Sequence, residues 1–194
     1  PRYRAVIAAP EPLKTTLQRT VGLARWQDYD GMTDELRDWL MQEAVDEARV
    51  AAAAEGYFSA RIEVAIEREA SPPVVTLTVE VGEPTRVASV HLEVTGRALD
   101  DPALSAEAIA KLNADWGLPV GEIFTQPDWT AAKQAAVTTF AANTFAAAKI
   151  VRSEAAIDPE RLSGDLTVEI DSGPPFRFGK LAIAGLAKYP ESLV

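Results

Sequence analysis

Few residues in this chain have the type and spacing to perform covalent chemistry. The single histidine, His91, sits between Val90 and Leu92 in an alternating stretch, which predicts a solvent-facing position on a strand. There is no second histidine, no cysteine nucleophile and no Gly-x-Ser-x-Gly elbow. Asp28, Asp30 and Gly31 echo the start of a calcium loop, but the third ligand and the closing glutamate are not at the required spacing, so they read as a solvated loop. Asp100 and Asp101 precede a helix, where turn and capping roles are the ordinary use of paired carboxylates. No glycine-rich phosphate loop is present. No catalytic residue, metal site or cofactor is expected.

The charge balance narrows the partners. Nineteen basic against 29 acidic residues give a formal charge of −10, which repels phosphate backbones and anionic headgroups, so nucleic acid is not an expected partner. No stretch approaches the roughly 20 apolar residues of a membrane-spanning helix. The chain opens on Pro1 with no targeting segment and reads as a section of something longer. Of the four tryptophans, Trp129 fits a core stripe and Trp39 lies off its helix's apolar line. Trp26 and Trp116 fall in loops, where an aromatic can anchor a partner or, more commonly, cover the end of a small domain.

The elements follow from periodicity. Tyr3 to Ala8 reads as a strand; Leu13, Leu17 and Val21 then recur at helical spacing, with Pro12 in the first turn and Gly22 placed to end the helix ahead of a loop, LARWQDYDG. Thr33 caps a second helix, with Asp34 and Glu35 facing the positive end of its dipole, Leu36, Leu40, Ala44, Ala48 and Ala51 on one face, and Gly56 at its end. Arg61 to Glu67 alternates, as do Val75, Leu77, Val79 and Val81, so the two strands pair as a hairpin across Ser71-Pro72-Pro73.

The cycle then restarts. Val90, Leu92 and Val94 alternate, Ser105 is placed to cap a helix carrying Ile109 and Leu112, and Thr125 with Asp128 forms a capping box before Trp129, Ala132, Ala136 and Phe140. Asn143 takes the place of Gly56 and Phe145 that of Phe58. Extended sequence from Ala146 to Ile157 leads through DPERLSGD to Leu166, Val168 and Ile170. Phe176, Phe178, Leu181 and Ile183 begin a third cycle. LTVEVGEPTRV from Leu77 is thus echoed by LTVEIDSGPPFRF from Leu166, a repeat of roughly 90 residues. The pattern predicts an α+β fold of β-α-α-β-β units over 1–82 and 83–172, with a truncated third over 173–194.

The β-α-α-β-β order, Gly56-Tyr57-Phe58 after the helix, the V-G-E-P-T-R-V stretch and G-P-P-F-R-F-G-K-L-A-I-A-G resemble POTRA domains, which precede the β-barrel of outer-membrane assembly proteins. GLPVGEIFTQPDWTAAKQAA is most similar to TamA-like members. In its second unit the chain has Asn143-Thr144-Phe145 where the family commonly has Gly-Tyr-Phe.

The resemblance implies a three-stranded mixed sheet per unit with two helices on one face, the LTVEV-type strand central and the strand after the helices at an edge. It implies a periplasmic, non-enzymatic region that receives unfolded outer-membrane or autotransporter polypeptides, works with its own C-terminal β-barrel, and meets a TamB-like inner-membrane-anchored protein. An edge strand can accept a client strand through main-chain hydrogen bonds. The implied partner-binding edges are Arg61, Ile62, Glu63, Val64, Ala65, Ile66 and Glu67, and, less regularly, the stretch Ala148 to Ala155 with Lys149, Ile150 and Val151. The charges at Arg61, Glu63 and Glu67 equally suit an edge protected from pairing. Gly82 and Pro84, then Gly173, Pro174 and Pro175, are read as hinges whose prolines limit the angles between units. The alternative is a spacer arm of a BamA-like or two-partner-secretion barrel that binds no client.

Overall fold

The computed structural model describes residues 2–142 and 145–176. The element order is β1 (Arg4–Ala8), α1 (Leu13–Thr20), α2 (Gly22–Arg25), α3 (Asp34–Ala54), β2 (Arg61–Glu67), β3 (Val74–Glu80), β4 (Arg86–Thr95), a 3-10 turn (Arg97–Asp100), α4 (Pro102–Ala114), α5 (Gln126–Ala141), β5 (Lys149–Asp158) and β6 (Ser163–Asp171). The fold is α+β. Two three-stranded mixed sheets have the orders β1-β3-β2 and β4-β6-β5, each with one parallel and one antiparallel pairing. In both sheets the strand that comes last in sequence is central.

That order follows from burial. Val75, Leu77 and Val79 of β3, and Leu166, Val168 and Ile170 of β6, are at most 3 % exposed, so each central strand carries the apolar face that the helices cover. Burying side chains of this kind contributes about 1.5–3 kcal/mol each. In the first unit they meet Leu13 and Leu17 of α1 and Leu40, Ala44, Ala48 and Ala52 of α3. In the second they meet Leu112 of α4 and Trp129, Ala132, Ala136 and Phe140 of α5. Small alanines on α3 let it lie close to its sheet. The buried stripe of α3 ends at Ala52, with Ala51 only half-buried.

The helix starts show which capping signals act. Thr33 accepts from the Leu36 N–H and Thr125 from the Asp128 N–H, as their sequences predict. Ser105 does not cap α4. Asp101 does, accepting from Ala103 and Leu104 N–H, and Pro102 occupies the first turn, while Ser105 is buried one turn in with its hydroxyl donating to the Pro102 carbonyl. Gly22 does not end α1 but opens α2, a single turn inside the expected loop. Its N–H donates to Glu47 Oε2 at 2.9 Å, an acceptor supplied by α3.

Gly56 ends the α3 turn at φ +93°, where the Tyr57 N–H returns to the Ala52 carbonyl. The next residues join the two units. Tyr57 packs on the first core and Phe58 on the second, its ring 5.9 Å from that of Phe124. The Thr85 N–H donates to the Gly56 carbonyl and the Thr85 carbonyl accepts from Phe124 N–H, so the strap between units is held from both sides. A Cβ on Gly56 would lie 2.4 Å from the Phe124 oxygen. Ser59 Oγ donates to the Pro159 carbonyl at 2.7 Å, adding a contact to the β5–β6 turn.

Phe145 is the counterpart of Tyr57, not of Phe58. It lies four residues before β5 as Tyr57 lies four before β2, and it is buried in its own core, stacked on Phe140 at 5.1 Å. Exposed Ala146 holds the place of Phe58. Asn143 and Thr144, and the residues beyond Phe176 on which the expected third unit rests, including Phe178, Leu181 and Ile183, lie outside the described residues.

Two outcomes follow. Phe58→Ala is expected to cost about 1–3 kcal/mol, less than a fully buried phenylalanine because the ring is half-buried, and amide exchange should accelerate more in β6 than in β3. Tyr3 is 2 % exposed and its hydroxyl donates to the Leu23 carbonyl at 2.6 Å. Burial pushes its phenol up to about 12, against a smaller opposing effect of Arg37. Its contribution to stability is therefore complete below the unfolded value of about 10 and lost as pH rises through about 12, which unfolding of the parent and the Tyr3→Phe variant followed across that pH range will show.

Candidate functional site: the open sheet edges

A three-stranded sheet has two edges, so the two sheets offer four. Their hydrogen-bonding sides follow from three anchors. The Arg4 N–H donates to the Pro73 carbonyl, Arg86 N–H to Leu162, and Ser172 N–H to Thr95. In a parallel ladder alternate residues bond inward, so Val75, Leu77 and Val79 of β3 serve β1 and the residues between them serve β2. Arg61, Glu63, Ala65 and Glu67, registered against Glu80, Thr78, Thr76 and Val74, then bond to β3. Ile62, Val64 and Ile66 turn their N–H and C=O groups outward. By the same alternation Ser153, Ala155 and Ile157, registered against Val168, Leu166 and Gly164, turn theirs outward from β5.

Two of the four edges are covered in part, β1 at one amide and β4 at its start. On β1 the outward Ala5 N–H donates to Gln27 Oε1 at 3.0 Å. On β4 the outward Val87 N–H donates to the Glu122 carbonyl and the Val87 carbonyl accepts from Gly121 N–H, so the segment before α5 acts as a short extra strand over its beginning. Neither closure has a local sequence signature. Each is a contact across more than 20 residues.

The other two are open. Among the described residues the main chain of β2 hydrogen-bonds to β3 alone and that of β5 to β6 alone. On β2, Ile62, Val64 and Ile66 are half-buried toward the helices, while Arg61, Glu63, Ala65 and Glu67 are exposed on the far face. Its ladder is unbroken over seven residues. β5 runs from Lys149 through Asp158, past the expected Ala155, and the register shifts between Ile150 and Arg152. That bulge explains the irregular pattern in the sequence. Ile150 faces the core, Val151 is extruded at 49 % exposure, and the inward phase resumes at Ala155 and Ile157. On the outer face Arg152 pairs with Glu154 at 2.8 Å, and the carboxylate holds the guanidinium further above its ordinary range.

Beside β5 a groove of about 750 Å³ runs along α5, floored by Val137, Ala148 and Ile150 and flanked by Lys133, Lys149 and Ser153. The ammonium of Lys133 lies 4.7 Å from the centre of the Trp129 ring and 3.4 Å from Ser153 Oγ.

The remaining candidates do not assemble. His91 is exposed on β4 opposite Thr167. Among the described residues no three histidine or acidic side chains cluster in a way that could hold a metal, and no helix is long and apolar enough to cross a membrane. Trp116 is buried and donates its indole N–H to the Leu118 carbonyl, covering the end of the second core. Trp26, by contrast, is 49 % exposed, edge-on to Tyr29 at 5.6 Å, and Trp39 is 54 % exposed. Gly82 and Gly173 have φ of +66° and +62°.

No family model matches the chain, and no curated protein matches it. Among solved structures it is similar to POTRA3-5 of BamA from Haemophilus influenzae, at 17% identity and TM-score 0.44, covering 99% of this chain and 74% of that one. It is similar to POTRA1-2 of the periplasmic domain of Omp85 from Anabaena, at 16% identity and TM-score 0.43, covering 89% and 94%. It is also similar to CdiB from Escherichia coli, at 15% identity and TM-score 0.40, covering 87% of this chain and 26% of that one.

Gln27→Ala is expected to free the Ala5 amide. Loss of a hydrogen bond worth about 1 kcal/mol should speed its exchange by about fivefold while Val6, bonded to β3, keeps its rate, as read residue by residue by hydrogen exchange.

Proposed function

We propose that this chain is a tandem POTRA region of an outer-membrane assembly factor, of the TamA-like kind. In this reading it stands in the periplasm, takes extended segments of unfolded outer-membrane or autotransporter polypeptides onto its sheet edges, and presents them toward a β-barrel in the same protein. A TamB-like, inner-membrane-anchored protein is its second partner. The units divide near residue 82 and again near 172, and the Gly82-Pro84 and Gly173-Pro175 stretches set the direction of each next unit.

The observation that supports strand addition most is the contrast between edges: β1 is covered at Ala5 by Gln27 and the start of β4 by residues 121–124, whereas β2 and β5, the strands after the helices, keep their outward donors and acceptors without a main-chain partner among the described residues. Main-chain pairing is nearly blind to side chains, which suits a receiver of many sequences. One observation favours the second reading, a spacer that binds no client: Phe58, Gly56 and Thr85 fix the first unit against the second, as a strut requires.

Proline at an outward position separates the two. Val64→Pro and Ala155→Pro each remove a donor that does not serve the sheet's own ladder. The double variant should retain its circular dichroism and lose at least about tenfold in affinity for an unfolded outer-membrane protein segment. If the folded double variant binds such segments and the partner as the parent does, strand addition is wrong and the spacer stands.

A further inference from the structure

Resting on the strand-addition reading of β5, we infer that the α5–β5 groove selects client strands by charge, favouring a carboxylate side chain at the position that pairs with Ser153. The chain carries a formal charge of −10, yet the groove is flanked by two lysines and, among the described residues, lined by no acid. Among the described residues neither Lys133 nor Lys149 forms an ion pair. Asp171 stands opposite Lys149 across the β5–β6 ladder, so Lys133 is the less compensated of the two.

The geometry fixes where a client's charge would sit. Ser153 turns its main chain outward and its side chain toward α5, where its hydroxyl lies 3.4 Å from Lys133 Nζ. Residues directly opposite on neighbouring strands share a face, with Cβ atoms about 4.5–5.5 Å apart. A client glutamate opposite Ser153 therefore reaches the Lys133 ammonium, and the next groove-facing residues lie over Val137 and Ile150, where an apolar side chain is covered. Lys133 is already held by the Trp129 face and Ser153, so it loses little freedom on taking a carboxylate. The β2 edge is different: its exposed Arg61, Glu63 and Glu67 carry both signs on the face away from the helices.

Three nine-residue peptides test this, alternating valine with glutamate, glutamine or lysine, titrated into the whole chain with β5 and β2 amide shifts as the readout. At low salt the glutamate peptide should bind at β5 about three- to fivefold more tightly than the glutamine peptide, and the lysine peptide more weakly than either. In 1 M salt the difference should vanish, since screening then acts over about 3 Å. Lys133→Glu should reverse the order. Equal affinities of all three peptides at β5, with its amides shifted, would overturn charge selection and leave strand addition intact. Failure of every peptide to shift the β5 amides would overturn both there, and β2 shifts would report whether strand addition survives at the other edge.

Discussion

A strand satisfies its main chain on two sides, and in a three-stranded sheet only the middle strand finds both partners within its own unit. Everything distinctive here follows from that arithmetic. β3 and β6 divide their donors and acceptors between two neighbours, which places Val75, Leu77 and Val79, and Leu166, Val168 and Ile170, at the centre of each core. The four outer strands are left with a row of groups each. An unpaired polar group surrounded by water costs little, so the edges can be left open, but an open edge attracts other strands. The molecule resolves this unevenly, covering one amide of β1 and the start of β4 and, among the described residues, leaving β2 and β5 bare.

Much of the fold was legible because the decisive signals are local. Strict alternation over Arg61–Glu67 and Val75–Val81 locates a hairpin without knowledge of anything else, and Thr125 with Asp128 defines a helix start within four residues. Misreadings arise where the deciding contact is distant or where two local signals compete. Gly22 reads as a stop because the acceptor that makes it a start, Glu47, belongs to another helix. Ser105 and Asp101 are both competent caps, and the proline after Asp101 settles the choice. The bulge at Val151 breaks the alternation of β5, so its sequence looks irregular although the strand is ten residues long.

The candidate site was legible in half. Which strands lie at edges follows from the order of elements once the last strand is central. Which edges are available does not, because availability depends on a glutamine side chain and on a stretch of main chain that reach their targets from other parts of the sequence. Lys133 was invisible for the same reason. On α5 it is one polar residue among several, and it becomes notable only when β5 brings Ser153 to its ammonium.

The two closures also differ in kind. A glutamine side chain covers one outward amide of the β1 edge, so a single codon change at position 27 uncovers it. Residues 121–124 hold the start of the β4 edge with their backbone, which most substitutions leave in place. The first unit's cover is thus within one mutational step of removal, while the second unit's is set by chain path, which an insertion, a deletion or a proline would alter. Over evolutionary time the two halves of a near-repeat can diverge in what they are able to acquire, even while their sheets remain the same.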